Sequence, residues 1–210
     1  MNKRHWGQAE PSTTIPLVFR IVLSSFLITG ASGRIHAADV ATSAASSHAA
    51  AKPPAEPDSY RTDHYRSPVP LTLKGARVLS DGEAMKMWSA KSAIFIDVYP
   101  HPPKPPNLPA GTLWRETTHQ SIENAVWLPN VGYGVLSQAN DAYFQRNLES
   151  LTHGDKGKQL VFFCLKNCWM SWNAAKRALS YGYTNVDWYR DGTDGWQEAG
   201  GMVDNVRPLP

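Results

Sequence analysis

Cysteine is nearly absent from this chain: its 210 residues contain two, Cys164 and Cys168, and both fall in one short stretch. Any thiol chemistry is therefore confined to one place. Histidine offers no second centre, because none of the five beyond residue 37 (His48, His64, His101, His119 and His153) stands at metal-ligand spacing from another of them or a cysteine. No metal and no bound cofactor is expected. Long apolar runs are missing after Ile28, so no later segment is expected to span a bilayer. Basic excess is missing too once the N-terminus is set apart. Four of the 21 basic residues (Lys3, Arg4, Arg20, Arg34) and one of the 18 acidic residues (Glu10) lie in the first 37, leaving 17 of each. That balance removes the electrostatic case for nucleic acid or an anionic membrane as partner. No internal repeat is visible, and the length allows one ordinary domain plus tails.

What is present at the N-terminus reads as a secretory signal peptide. Lys3 and Arg4 precede an apolar stretch from Ile15 to Ile28, and small residues follow from Gly30 to Gly33. Residues 1–37 are expected to be removed on export to a bacterial periplasm, with cleavage after Gly33, Ala37 or Ala38. An uncleaved anchor is the competing reading, but Arg20 leaves the apolar run short of the roughly 20 residues that a spanning helix needs. Residues 38–59 are rich in Ala, Ser and Pro with almost no bulky apolar side chains, so burial cannot offset their ordering entropy, and a flexible tether is expected. Residues 60–210 carry enough aromatic and aliphatic side chains to form a single domain.

Within that domain, short β-type runs alternate with helical ones. Strands are expected at Ala76–Leu79, Ala93–Val98, Ala125–Leu128, Gln159–Phe163 and Asn185–Tyr189. Ser80 with Glu83 forms a capping box for a helix reaching about Ala90, and Gln138–Leu151 is amphipathic. Ser171 is placed to cap a helix through Leu179, with Gly182 ending it and a glycine-rich turn before Trp196. Tyr99–Ala110 holds six prolines in twelve residues and must be a loop, read as a rigid surface insertion rather than a docking site. Alternation of this kind implies an α/β fold with a mainly parallel sheet flanked by helices.

The run Cys164-Leu165-Lys166-Asn167-Cys168-Trp169-Met170-Ser171 joins a buried strand to a helix, where open α/β sheets place ligands. Free amides and the dipole at a helix N-terminus favour negative charge, so a cysteine facing them gains thiolate character, and Lys166 is placed to add to that field. The order of Phe95-Ile96-Asp97-Val98, Ser121 to Val126, Cys164 with Ser171 to Ala175, Gly182 to Val186 and Asp191 to Trp196 resembles the rhodanese family over about residues 75–200. Closer still, Cys168 to Ala178 and Ala125 to Asn130 are similar to rhodanese-like proteins associated with catabolism dependent on pyrroloquinoline quinone (PQQ) and marked by a paired-cysteine-tryptophan (CXXCW) motif. This resemblance implies an exported accessory of quinoprotein alcohol oxidation, whose partner is a periplasmic PQQ-dependent dehydrogenase system or a thiol partner. It supplies no reaction, and no quinone pocket is read from the chain.

Two departures from the rhodanese pattern change the chemistry. Trp169 and Met170 stand where a basic residue often ends the loop, so no arginine of the loop grips an oxyanion. Glu123-Asn124 replaces a frequent Pro-Gly. Three readings of the pair stay open: sulfur transfer with Cys164 attacking the donor, dithiol–disulfide exchange between Cys164 and Cys168, and a non-catalytic binding module with a structural disulfide. Around them, Asn167, Trp169 and Ser171 belong to the loop. Asp97 is placed to accept loop amides or to serve structure alone. His119 is a base near the loop or a surface histidine on a long loop. Trp169 and Trp172 shield the site or belong to the core, and Lys176 and Arg177 are expected to face solvent.

Overall fold

A computed structural model describes residues 52–102, 105, 107–113 and 118–210. The expected signal peptide, and the linker as far as residue 51, lie outside them. In chain order the elements are β1 (Arg77–Leu79), α1 (Asp81–Ser89), β2 (Ile94–Asp97), β3 (His119–Ile122), β4 (Val126–Trp127), α2 (Gln138–Thr152), β5 (Leu160–Phe163), α3 (Trp169–Ser180), β6 (Val186–Tyr189), α4 (Gly192–Glu198) and β7 (Val203–Val206). Five strands form a wholly parallel sheet in the order β1-β6-β5-β2-β4, and β3 pairs antiparallel with β7 in a separate ribbon. The α/β class expected from the alternation is the architecture found.

Period-two alternation sorts the side chains of the central strands between two apolar clusters. Leu160 and Phe162 of β5 and Ile96 of β2 face the cluster covered by Phe144 and Leu148 of α2 and Trp172 and Ala175 of α3. Val161, Phe163 and Phe95 face the other, which holds Ala84 of α1 and Trp196 of α4. The continuous apolar runs of β2 and β5 thus reflect burial on both faces.

Local signals act as their chemistry requires. Ser80 caps α1 through the Glu83 amide, while the Glu83 carboxylate accepts from the Ser80 amide at 2.9 Å. Asn124, with φ of 63°, closes the turn between β3 and β4 in place of a glycine, which suits a residue type that tolerates the left-handed region.

Five expectations are corrected. Ser171 does not cap α3; it lies in the first turn, where its hydroxyl donates to the Cys168 carbonyl at 3.2 Å and accepts from Trp188 Nε1 at 3.0 Å. The glycine-rich stretch before Trp196 is helix α4, because Gly195 serves close packing against Asp191 and Tyr189 rather than a turn. His119 sits on a strand, β3, whose short polar sequence carries weak alternation and is defined by pairing with β7. Arg177 is buried, donating to the carbonyls of Val131, Tyr133 and Gly134 at 2.9–3.0 Å, and so ties a loop instead of facing solvent. Lys176 is half-buried, with its Nζ 4.7 Å from the Trp172 ring centroid.

Candidate functional site

The cysteine loop leaves the carboxyl end of β5 and enters α3. Continuing the β5 alternation, Cys164 falls on the α2–α3 face and is fully buried. Its backbone is clamped from α4: the Thr193 amide donates to the Cys164 carbonyl at 2.9 Å, and Leu165 bridges to Gly192. Asn167 then reverses the chain with φ of 57° at the exposed tip. This return brings Cys168 back over Cys164, and the Cys164 thiol donates to Cys168 Sγ at 2.7 Å. Both cysteines carry unlinked thiols.

The two sulfurs differ sharply in electrostatics. Burial pushes the Cys164 thiol well up, and its hydrogen bond to Cys168, the Cys168 charge and the Asp97 charge push the same way. Cys168 is brought down to about 7, chiefly by the thiol hydrogen bond it accepts from Cys164, against burial, with the amides of Met170 and Leu165 and the charge of Arg66 adding. Cys168 is the N-cap residue of α3 but makes no formal cap hydrogen bond, so those amides act as nearby dipoles. The electrostatics therefore favour thiolate character at Cys168 over Cys164. The Lys166 ammonium group pairs with Glu198 at 3.0 Å and its amide donates to Asp194, so neither is directed at the thiols.

A segment ahead of β1 straps this loop, and sequence reasoning missed it because it is irregular. Arg66 bridges to Cys168, the Trp169 amide donates to the Tyr65 carbonyl at 2.9 Å, and Trp169 Nε1 donates to Ser67 Oγ at 3.0 Å. Farther along α3, Asn173 exchanges two hydrogen bonds with the Arg61 backbone, at 2.9 and 2.8 Å, and Trp172 Nε1 donates to the Thr72 carbonyl. Trp169 and Trp172 are buried and meet edge to face at 5.5 Å, so both are core. The strap begins within the expected tether, where Glu56 accepts from Thr72 Oγ1 and the Lys74 amide at 2.6 Å. With it in place Cys168 is only 2% exposed.

Asp97 and His119 form a separate cluster on the opposite face. Asp97 ends β2 one position beyond Ile96, so its carboxylate points away from the thiol side. It accepts from the Tyr99 amide at 2.8 Å, Ser121 Oγ at 2.5 Å and His119 Nε2 at 2.7 Å, and not from amides of the cysteine loop. His119 is stacked on Tyr99 and tilted against Trp127. It lines a cavity of about 550 Å³ with Trp127, Leu165 and Thr193. The cavity brings His119 beside Leu165 of the cysteine loop, while neither cysteine lines it. Among the described residues, no three His, Cys, Asp or Glu side chains converge as a metal site would require.

No curated protein matches the chain in sequence. Solved structures similar to it include a thiosulfate sulfurtransferase from Pseudomonas aeruginosa, 17% identical with a TM-score of 0.43, covering 63% of this chain and 21% of that one. This chain thus spans about a fifth of the length of that protein. A polysulfide-sulfur transferase homodimer from Wolinella succinogenes is 20% identical with a TM-score of 0.39, covering 62% of this chain and 79% of that one. The rhodanese-like domain family matches residues 81–199, from the first turn of α1 to the end of α4. With more than half of its length matched, the chain belongs to the rhodanese-like domain family.

Proposed function

We propose that this chain is a dithiol–disulfide exchange protein in which Cys168 attacks and Cys164 resolves. The observation that carries the reading is the direct contact between the two thiols, 2.7 Å apart across the head of α3. The Cys168 thiolate attacks one sulfur of a partner disulfide, forming a mixed disulfide and releasing the other partner sulfur as thiolate. Cys164 gives up its proton and attacks the Cys168 sulfur, which closes the Cys164–Cys168 disulfide and releases the second partner thiolate. The partner gains two electrons and the protein loses two; a partner dithiol reverses both steps.

Sulfur transfer is the second reading, favoured by the family match. There the Cys168 thiolate takes the outer sulfur of a persulfide donor, releases the donor thiolate, and later yields that sulfur to an acceptor thiolate. Proximity of Cys164 weighs against it. A thiolate at Cys164 attacks the inner sulfur of a Cys168 persulfide, expels hydrosulfide and leaves the same disulfide.

The deciding experiment mixes the reduced full chain with dipyridyl disulfide and follows released aryl thiolate and protein mass. Two thiolates per chain and an internal disulfide support exchange, whereas a persistent mixed disulfide with one thiolate sinks it. Reaction only on unfolding would make the pair a structural clip and the domain a binding module. Export to the periplasm and an accessory place beside PQQ-dependent alcohol oxidation belong to the same proposal, supported by the N-terminal residues and by the similarity of Cys168 to Ala178. Alcohol-dependent growth unaffected by Cys168→Ser at normal abundance would remove that placement.

A further inference from the structure

The loop lacks the basic residue that often ends it in this family, and its one lysine is occupied by Glu198. A cation nevertheless stands at the thiols, and it comes from outside the family-matched residues. Arg66 on the strap is the antiparallel bridge partner of Cys168. Bridge partners project their side chains to the same side with Cβ atoms about 5 Å apart. Arg66 is exposed and takes part in no ion pair among the described residues, unlike Arg61, which pairs with Asp63, and Lys166. Its charge also lowers the pKa of Cys168, as proximity requires.

We infer that Arg66 is the charge-selecting residue of the dithiol site, favouring thiol and disulfide partners that carry an anionic group beside the reacting sulfur. The inference rests on the exchange reading and deepens it by naming a substrate class. An exposed guanidinium beside a buried sulfur, with no ion-pair partner among the described residues, attracts an incoming anion before the bond-making step. It also offers a carboxylate or sulfonate a two-pronged donor. Because the charge sits on the strap and not on the loop, it remains beside Cys168 only while the strap is seated. Anion selection and closure of the site are therefore one arrangement.

Two aryl disulfides of opposite character separate this from a structural role. Dithiobis(nitrobenzoate) is a dianion and dipyridyl disulfide is uncharged, and each reacts with a thiolate by the same exchange. In the reduced full chain, Arg66→Gln is expected to lower the rate with the dianion about five-fold relative to the uncharged probe, while Arg66→Lys stays within about two-fold of the parent. Added salt should slow the dianion reaction of the parent and leave that of Arg66→Gln nearly unchanged. Equal changes with both probes would mean that Arg66 only holds the strap, and no change with either would mean that its charge is not felt; both overturn the inference. The number of aryl thiolates released per chain reports separately on exchange: one instead of two removes that reading, while the ratio of the two rates still decides the role of Arg66.

Discussion

The amide of Trp169 donates to the carbonyl of Tyr65 at 2.9 Å, so the first free N–H at the head of α3 is already taken by the chain itself. A helix N-terminus is a ready anion site because its leading amides lack partners. Here one of those amides holds the strap, and the neighbouring residue of the strap lies across Cys168. The amides of Leu165 and Met170 also stabilise charge at the site: both favour thiolate at Cys168, and that of Leu165 acts on Cys164 as well. The architecture thus suits a thiolate held under cover better than a diffusing oxyanion.

Asn173 is the fastening point of that strap. Its buried amide group serves the Arg61 backbone twice and the Gly132 carbonyl once. Asn173→Ala is expected to cost about 2 to 4 kcal/mol, since truncation also strands buried partners. More telling is where protection is lost. Hydrogen exchange should accelerate at the Trp169 amide and alkylation at Cys168, with β5 still protected. Uniform acceleration through β5 would show global loosening instead.

Cys168 with its pKa near 7 and Cys164 with its pKa pushed well up define an asymmetric titration. The thiolate is the nucleophile, so alkylation of the reduced protein should rise with pH through a midpoint near 7. No second step is expected in the ordinary thiol range, because the first charge opposes loss of the second proton. Removing the donor by Cys164→Ala takes away the largest lowering influence on Cys168, and the midpoint should move upward. A midpoint unmoved in that variant would show that the thiol–thiol hydrogen bond does not set the charge.

The sequence makes the central strands, the α1 capping box and the position of both cysteines legible, because burial on two faces and reciprocal capping leave compact local patterns. It leaves the strap unread for a physical reason. Tyr65, Arg66 and Ser67 act through one backbone carbonyl, one bridge and one hydroxyl, none of which requires periodicity. The electrostatic difference between the two cysteines is hidden for a similar reason, since it depends on how deeply each sulfur is buried and on which one accepts the thiol hydrogen bond after the turn at Asn167. Arg177 shows the converse error: a charged residue on a helix reads as a solvated face until three carbonyls converge on it.

Gly192 should tolerate no side chain. Its φ is 55°, and an added Cβ would lie 2.3 Å from the Cys164 carbonyl oxygen, a backbone atom that cannot swing aside. Gly192→Ala is expected to destabilise the domain by about 2 kcal/mol or more, combining left-handed strain with the clash. The shift should be largest near the thiols, because Thr193 would lose its grip on the Cys164 carbonyl. Denaturant melting together with the dipyridyl disulfide rate measures both. Parent-like stability would show that the loop yields freely at this contact.

His119 should be separable from thiol chemistry, since strand alternation puts the Asp97–His119 pair on the face opposite Cys164, and Asp97 acts on that thiol only through its charge. Asp97→Asn presents an amide where three donors converge, and is expected to cost about 3 kcal/mol by leaving buried groups unpaired. His119→Gln keeps a hydrogen-bonding side chain of similar reach and should cost less. If His119 served as base for either cysteine, this variant would slow dithiol–disulfide exchange at least ten-fold, in the range that a positioned base contributes. Exchange within about two-fold of the parent is expected instead, because the imidazole lines a cavity that neither sulfur reaches. Any larger loss confined to His119→Gln, with stability preserved, would mean that proton transfer runs through Asp97 and His119 to the thiols despite the intervening sheet.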